Sequence, residues 1–516
     1  MFYLRCVKTK SNSTAVQVVK YINRNRVIAK HIGSAKNLDE LNLLKVAGQD
    51  WIDKQLQQSL FSLPKTELKK SVEKSLSKNN KSSVLITNKI KLLSTHSRFI
   101  YEVLNQILKL MGFTKLIANH PQRRLLLDLV VMRLIKPSSK LESMQYLSAE
   151  FDISYDKSSC YRNLAKFVNL KDEIEKIVVK FAKKRLDFKF RYVFYDVSTL
   201  YFESFKSDDE LRQCGFSKDN KFNQPQVVIG LLVNSEGFPI SYQLFAGNKF
   251  EGHTFIPVLE ELKQKHKLGK LTVVADAAMI SQKNVDELLD KKINYIVGAR
   301  LANLNKKFNQ QINSKLEKVD GSTIRIPTDK GNLICHFSNK RYSKDKHECK
   351  KQVYKAFKAL NNPTKAVKRL KYISSKNKES IHFNQKLLDR NKALWGVKGY
   401  YSNLSLVSNQ EIIHQYGQLW KVEKAFRITK SDLRARPIYH RNTNTIQAHI
   451  LICFMALAVA KYIEIKSGLS LKKSLALLAT VKDARILNQL NGDIICMRSD
   501  LSKNVENLLI KLEVSH

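Results

Sequence analysis

Two aspartates follow directly on runs of apolar residues: Asp196 ends Tyr192 to Tyr195, and Asp276 ends Leu271 to Ala275. A carboxylate at the C-terminal end of a buried strand is carried to the rim of its sheet, where ligands of open α/β sheets bind. Taken singly, each also fits a cap or turn former after a strand. A third acid lies in QEIIHQYGQLWKVEKAFRITK, where Tyr416, Leu419, Glu423, Arg427 and Lys430 stand at offsets 0, 3, 7, 11 and 14. On one helix, at about 100° per residue, these five fall within roughly 80° of one another and form a stripe. A helix turning that stripe to the sheet rim brings Glu423 to the two aspartates, flanked by a phenol, a guanidinium and an ammonium. Three hard carboxylate oxygens suit Mg²⁺ or Mn²⁺ rather than zinc, and the flanking cations suit phosphates. An i, i+4 surface pair worth a few tenths of a kcal/mol accounts for Glu423 and Arg427 if they are taken alone.

Other groups carry weaker signals. Cys335, His336, His347 and Cys349 are zinc-type ligands, but their spacing matches no familiar finger, and two buried cysteines with surface histidines explain them better. Trp395 lies 21 residues before Tyr416 beside a predicted strand, as a sheet-packing aromatic would. His253, in GNKFEGHTF, reads as a structural histidine rather than a general base. The run Lys340 to Lys378 holds 14 Lys/Arg and only Asp345 and Glu348 as acids, which suits a phosphate-tracking surface better than a merely solvated face.

The elements that must position these residues follow from apolar periodicity. Phe2 to about Val46 alternates β-branched runs with basic residues, as small solvent-facing strands do. About Lys54 to Lys91 is rich in Lys, Ser and Asn and reads as a hinge or exposed segment. Helical spacing runs from Arg98 to about Leu186, with a capping signal at Ser139 and Glu142. Short helices with polar turns suit a DNA-binding module of helix-turn-helix type, and equally a bundle that braces the next domain. From Arg191 the pattern switches to strands: RYVFYDV, then residues 227 to 234 and 238 to 245 around the turn Ser235-Glu236-Gly237. Helix and strand then alternate through LTVVAD and INYIVGA, which describes a mixed sheet covered by helices. Arg300 to about Lys392 is basic and irregular and reads as an insertion. Strand character returns at KGYYSNLSLVS, followed by one long helix from about Asn409 to Lys430, a buried helix near 443 to 463, and a helical tail.

Composition narrows the partners. The 516 residues carry 90 Lys+Arg against 46 Asp+Glu, a formal net charge of +44, with 43% hydrophobic residues. That length predicts roughly three domain-sized units with a real core. An excess of this size calls for a polyanion, and nucleic acid is the leading one. Seven scattered cysteines without CxxC pairs suit a reducing interior. The longest apolar run, Ile450 to Ala460, is 11 residues, below the roughly 20 that a spanning helix needs. A soluble protein with no membrane partner is expected.

The segments FYDVSTLYFES, VVADAAMIS with INYIVGARL, and YGQLWKVEKAFRITKSDLRARPIYHR resemble insertion-sequence transposases of the DDE class, specifically the insertion-sequence-four (IS-four) superfamily. The resemblance covers about Arg98 to Lys461. That family's last acid sits in Tyr-x2-Arg-x3-Glu-x6-Lys, which maps to Tyr416, Glu423 and Lys430; Leu419 stands at the arginine position, and Arg427, one turn beyond Glu423, could supply the missing contact. The resemblance implies an α/β fold with an RNase H-like mixed sheet and an insertion before the last catalytic helix. Together with the apolar pattern, it divides the chain into a small β-rich basic region and linker at 1–90 and a helical tail at 466–516, both read from the pattern alone, around a helical DNA-binding domain at 91–188 and a catalytic domain at 189–465 with its insertion at 301–394. It further implies two Mg²⁺ ions, Mn²⁺ being possible, held by Asp196, Asp276 and Glu423 as catalytic metal ligands. Tyr416, Arg427 and Lys430 would position phosphates, and Trp395 would stack a displaced base. The implied activity is cleavage and strand transfer at the terminal inverted repeats of a mobile element. The implied partners are double-stranded DNA, both terminal repeats and target, with a homodimer on paired ends and a cytoplasmic, nucleoid-associated setting in a prokaryote. A metal-dependent nuclease that does not rejoin, or a catalytically inactive DNA-binding relic, are the alternatives.

Overall fold

The computed structural model describes residues 2–9, 13–22, 25–56, 90–118, 120–204, 206–208, 210–217, 221–279, 281–361, 370–375, 381–489 and 493–515. Most of the hinge expected between Lys54 and Lys91 lies outside these residues. The chain divides into two units, one of Met1–Phe99 with Thr480–Leu501, the other of Ile100–Ala479 with Ser502–His516.

In the first unit β1 (Phe2–Lys8), β2 (Thr14–Ile22) and β3 (Asn25–Ala35) form an antiparallel sheet on which the helix Leu38–Leu56 packs. The alternation of β-branched and basic residues becomes a buried and a wet face: Val16 and Val18 are fully buried while Ile28 is exposed. A second sheet joins β4 (Ile90–His96) to the strands Asp483–Asn488 and Ile494–Arg498. The expected helical tail thus contains a hairpin. IICMR has two β-branched residues in five, and DARILN, with one, is paired along both edges, to IICMR and to β4.

The second unit is built on an eight-stranded mixed sheet. Its strands are β5 (Tyr192–Tyr201), β6 (Gln226–Val233), β7 (Pro239–Ala246), β8 (Thr272–Ala275), β9 (Asn294–Ala299), β10 (Thr323–Thr328), β11 (Gly331–Phe337) and β14 (Val397–Ser402). They lie in the order β10-β11-β14-β9-β8-β5-β6-β7. β5, β6 and β7 are an antiparallel meander, and β8 and β9 run parallel to β5. The continuous apolar runs of β6 and β8 are buried along their whole length, as strands covered on both faces must be. The helix Thr443–Ser467 packs on β7 and on the helices His120–Ile135 and Lys157–Lys166, so the helical segment shares a core with the sheet. By length and composition it could cross a membrane, and it is the one such helix among the described residues, yet 94% of its apolar window is buried inside the protein.

The stretch between β9 and β14 is more regular than its sequence suggested. β10 and β11 extend the same sheet beyond β14, and the first part of the basic run forms the helix Asn339–Asn361 beside a small hairpin of β12 (Ile373–Ser375) and β13 (Ile381–Phe383), residues 362–369 and 376–378 of that run lying outside the described residues. Lysines at nearly every turn hide helical spacing from a hydrophobic-period reading: Cys349 and Ala356, seven residues apart, are the buried positions of that helix.

Candidate active site

The position of Asp196 follows from strand register. β5 pairs with parallel β8 only from Tyr192↔Thr272 to Tyr195↔Ala275. β8 ends there, so Asp196 and Asp276 are the next residue on each of two neighbouring strands, about 4.8 Å apart in the hydrogen-bonding direction. Asp196 does not end its strand, as the sequence predicted. β5 continues to Tyr201 because antiparallel β6 keeps pairing with it, including Asp196↔Leu231. Asp196 therefore sits where one neighbour stops and the other goes on. Tyr195 turns to the opposite face, where its hydroxyl donates to Thr254 Oγ1 at 2.7 Å. Asp196 is half-buried and accepts the Val197 amide at 2.8 Å; Asp276 is exposed and accepts the Ala277 amide at 2.7 Å.

The helix expected from Asn409 to Lys430 is two helices and a π-turn: Asn409–Gly417, Trp420–Arg427 and Ile428–Asp432. Gly417 weakens the helix, and the amides of Gln418, Leu419, Lys421 and Val422 bond three residues back rather than four. The five-residue stripe is accordingly broken. Leu419 packs inward, Glu423 and Arg427 are exposed, and Lys430 lies half-buried in the π-turn.

These pieces nevertheless meet at one place. The helix Asn409–Gly417 lies against β8 and β9, and the helix Trp420–Arg427 against β5 and β6. Tyr416, buried, donates its hydroxyl to Asp276 Oδ1 at 3.2 Å. Burial, and then the charges of Asp276 and Glu423, hold that phenol above its ordinary range. Room for it comes from Gly298 on β9, where a Cβ would lie 2.6 Å from the Tyr416 hydroxyl. The Lys398 ammonium, 4.6 Å from the Tyr416 ring centroid, is held below its usual range by burial and by Arg341, against the opposing pull of Asp276 and Glu423. Both acids thus act on the same two side chains. Sequence reasoning missed Lys398 and Gly298; the one available signal was a lysine alternating with Tyr400 in a strand whose other residues are buried.

The remaining candidates are placed as follows. Trp395 packs edge-to-face on Tyr342 with centroids 5.9 Å apart and also lines a cavity of about 460 Å³ that reaches Lys398. Cys335 is buried in β11, and His336 on its other face stacks on Tyr400 at 5.6 Å. Cys349 is buried against the Tyr372 hydroxyl, 3.3 Å away, whereas His347 is exposed. His253 lies in a short 3-10 turn, its ring edge-to-face on Phe250.

Among the described residues, a single group of three acid, His or Cys ligand atoms lies within 4.8 Å of one another: Asp172, Glu175 and Glu261. Asp196, Asp276 and Glu423 are less tightly drawn together. The closer cluster is ion-paired from within. Lys265 bonds all three of its carboxylates, and Lys171 reaches Glu175 and Glu261. Its packing joins the helices Lys171–Arg185 and Phe255–His266 to β7.

Comparisons with known proteins come from three directions. No curated protein matches. Among solved structures the chain is similar to a piggyBac transposase synaptic complex with hairpin DNA, at 11% identity over 74% of this chain and 78% of that one, with a TM-score of 0.36. It is also similar to a Mos1 transposase paired-end complex with the left transposon end, at 11% identity over 47% and 70%, with a TM-score of 0.16. The family comparison is decisive, because it takes in just over half of the chain and spans both aspartates and Glu423. Residues 195–459 match the transposase DDE domain, and the chain belongs to that family of DNA-transposing enzymes.

Proposed function

We propose that this transposase cleaves DNA at the terminal inverted repeats of an insertion sequence and joins the freed ends to target DNA, with Asp196, Asp276 and Glu423 as its metal-binding acids. One relationship carries the reading. Strand register sets Asp196 and Asp276 side by side, and Asp276 shares its two flanking side chains with Glu423. The donor set fits a divalent ion: unlike the lysine-filled Asp172 cluster, Asp276 and Glu423 have no lysine or arginine paired to them among the described residues. Bound Mg²⁺ or Mn²⁺, as a pair, would supply a deprotonated oxygen nucleophile and charge stabilisation at the leaving oxygen.

The protein's own groups do the rest. Tyr416 fixes the Asp276 carboxylate, leaving its second oxygen for a ligand. Exposed Arg427, on the helix that carries Glu423, and half-buried Lys430, in the π-turn after it, hold phosphates. The match to the Tyr-Glu-Lys pattern at Tyr416, Glu423 and Lys430, and a strand order in which a three-strand meander is followed by two parallel strands, support the IS-four and RNase H-like assignments. Trp395, lining its cavity, is assigned to stacking a displaced base. The helices within residues 91–188 are assigned to terminal DNA, and a homodimer on paired ends in a prokaryotic cytoplasm is the working form.

The test uses a plasmid bearing the inverted repeats that border the gene. Wild type should yield both cut and joined products with Mg²⁺, and Glu423→Gln neither. Cutting without joining would make the protein a nuclease, and undiminished cutting by Glu423→Gln would remove that residue from the site.

A further inference from the structure

Lys398 stands on β14, directly opposite His336 of β11. Its ammonium rests over two aromatic faces, 4.6 Å from the centroid of Tyr416 and 5.6 Å from that of Tyr400. Such contacts orient a cation without neutralising it. Among the described residues no carboxylate forms an ion pair with it; Asp276 and Glu423 act on it from farther off.

The other side of Lys398 is also cationic. Arg341, on the helix Asn339–Asn361, repels it and lines the same cavity of about 460 Å³, together with Arg300 and Lys371. His336, half-buried and stacked on Tyr400, meets the field of both Lys398 and Arg341, and its Nδ1 has no hydrogen-bond partner. Arg341 reaches Asp345 at 3.5 Å, which leaves the local balance positive. A packing role for position 398 would be met by an uncharged chain at lower cost. The cavity is lined by Arg300, Arg341, Lys371 and Lys398 against the carboxylates of Asp345 and Glu348, an excess of positive charge that suits an anion beside the half-buried ammonium.

We propose that Lys398, with Arg341 across the cavity, binds a backbone phosphate of the DNA strand at the cleavage point and holds it between the cavity and the three carboxylates. The ligand is a phosphodiester rather than a base edge: an ammonium offers donors alone and reads charge, not sequence. The inference rests on the assignment of Asp196, Asp276 and Glu423 to the active site.

Single-turnover cleavage tests it, on a duplex carrying the inverted repeat that borders the gene. The duplex is either native or made with one neutral methylphosphonate at successive positions around the cut. Lys398→Met should slow cleavage by roughly 10- to 100-fold, and Lys398→Arg should restore much of the rate. At one position the methylphosphonate should slow wild type by a similar factor yet slow Lys398→Met by less than about two-fold more. Arg341 is exposed, so Arg341→Met provides a second variant that leaves the core intact, with the same non-additivity expected. Wild-type cleavage by Lys398→Met, or losses that multiply at every phosphate in both variants, would overturn the proposal. Glu423→Gln is run alongside. If it is inactive while Lys398→Met is intact, the phosphate role alone is lost. If it cuts like wild type, the site assignment fails and this inference with it.

Discussion

The hydroxyl of Tyr416 donates to Oδ1 of Asp276 at 3.2 Å across 140 residues of sequence, tying the end of the helix Asn409–Gly417 to the end of β8. The bond orients a carboxylate that is otherwise exposed. Tyr416→Phe should therefore leave DNA binding unchanged and raise the Mg²⁺ concentration needed for half-maximal cleavage by roughly 3- to 10-fold, the worth of one ordinary hydrogen bond. A magnesium titration of cleavage checks it, and an unchanged midpoint would separate the tyrosine from the metal ligands.

Gly298 tests the same contact from beneath. Alanine there would place a methyl 2.6 Å from the tyrosine hydroxyl and 3.2 Å from Ala277 Cβ. Overpacking of this kind costs about 1–3 kcal/mol. Urea unfolding should show that loss for Gly298→Ala, and a smaller loss when the substitution is made in Tyr416→Phe, where the obstructing oxygen is gone. Equal losses in the two backgrounds would mean that the close approach is relieved elsewhere.

Metal removal gives the next expectation. Cleavage should stop in EDTA and return with Mg²⁺ or Mn²⁺. Asp196→Asn and Asp276→Asn should each lower it by roughly 1000-fold or more while retaining duplex binding, because the amide loses the charge that holds a hard cation. Gel-shift and cleavage assays on one preparation read both properties. A variant that also loses binding would point to a structural role for that aspartate.

The Asp172 cluster predicts stability rather than activity. Glu175 is fully buried and accepts Ser241 Oγ at 3.0 Å and the Tyr242 amide at 3.1 Å, with Lys265 as its main counter-charge. Lys265→Met should cost up to about 3 kcal/mol, because Lys171, 3.3 Å from Glu175, leaves that carboxylate only partly compensated. Adding Glu175→Gln should return part of it, as read by denaturant midpoints.

Lys140 predicts a pH dependence. It is buried beside Arg133, and burial first, then that guanidinium, pushes its ammonium down to about 7. The unfolded chain keeps the group near ~10.4. Between these values the unfolded state binds more protons, so the contribution of Lys140 to stability rises with pH across that window. Lys140→Met should be more stable than wild type at pH 7, with the gap closing toward pH 10. A gap that stays constant across thermal melts at successive pH values would show that the side chain titrates normally.

Much of the sheet was legible because its strands are apolar runs bounded by turn residues. The hairpin around Ser235-Glu236-Gly237 and the strands before Asp276 and Arg300 lie close to where periodicity put them. Asp196 and Asp276 stand out for the same reason, as acids that interrupt apolar sequence. Where β5 stops was not legible, since strand length depends on what the neighbouring strands do. The break at Gly417 was hidden because one glycine costs a helix only about 1 kcal/mol, and packing decides whether it is tolerated. Lys398 was marked only by its place in an otherwise apolar strand, a faint signal in a basic chain until the fold sets it over two tyrosine rings. The order within residues 301–394 was masked by charge, which obscures a narrow apolar seam.

β14 is hydrogen-bonded to β9 on one side and to β11 on the other, so the segment leaving the sheet after β9 returns to close it. Trimming residues 301–394 to obtain a smaller enzyme would strip β14 of one flank. Its backbone donors and acceptors would then stand open to any passing strand, an invitation to self-association. A shortened version should accordingly be recovered as insoluble material unless a replacement hairpin caps that flank, which makes the intervening segment a structural seal as well as a carrier of positive charge.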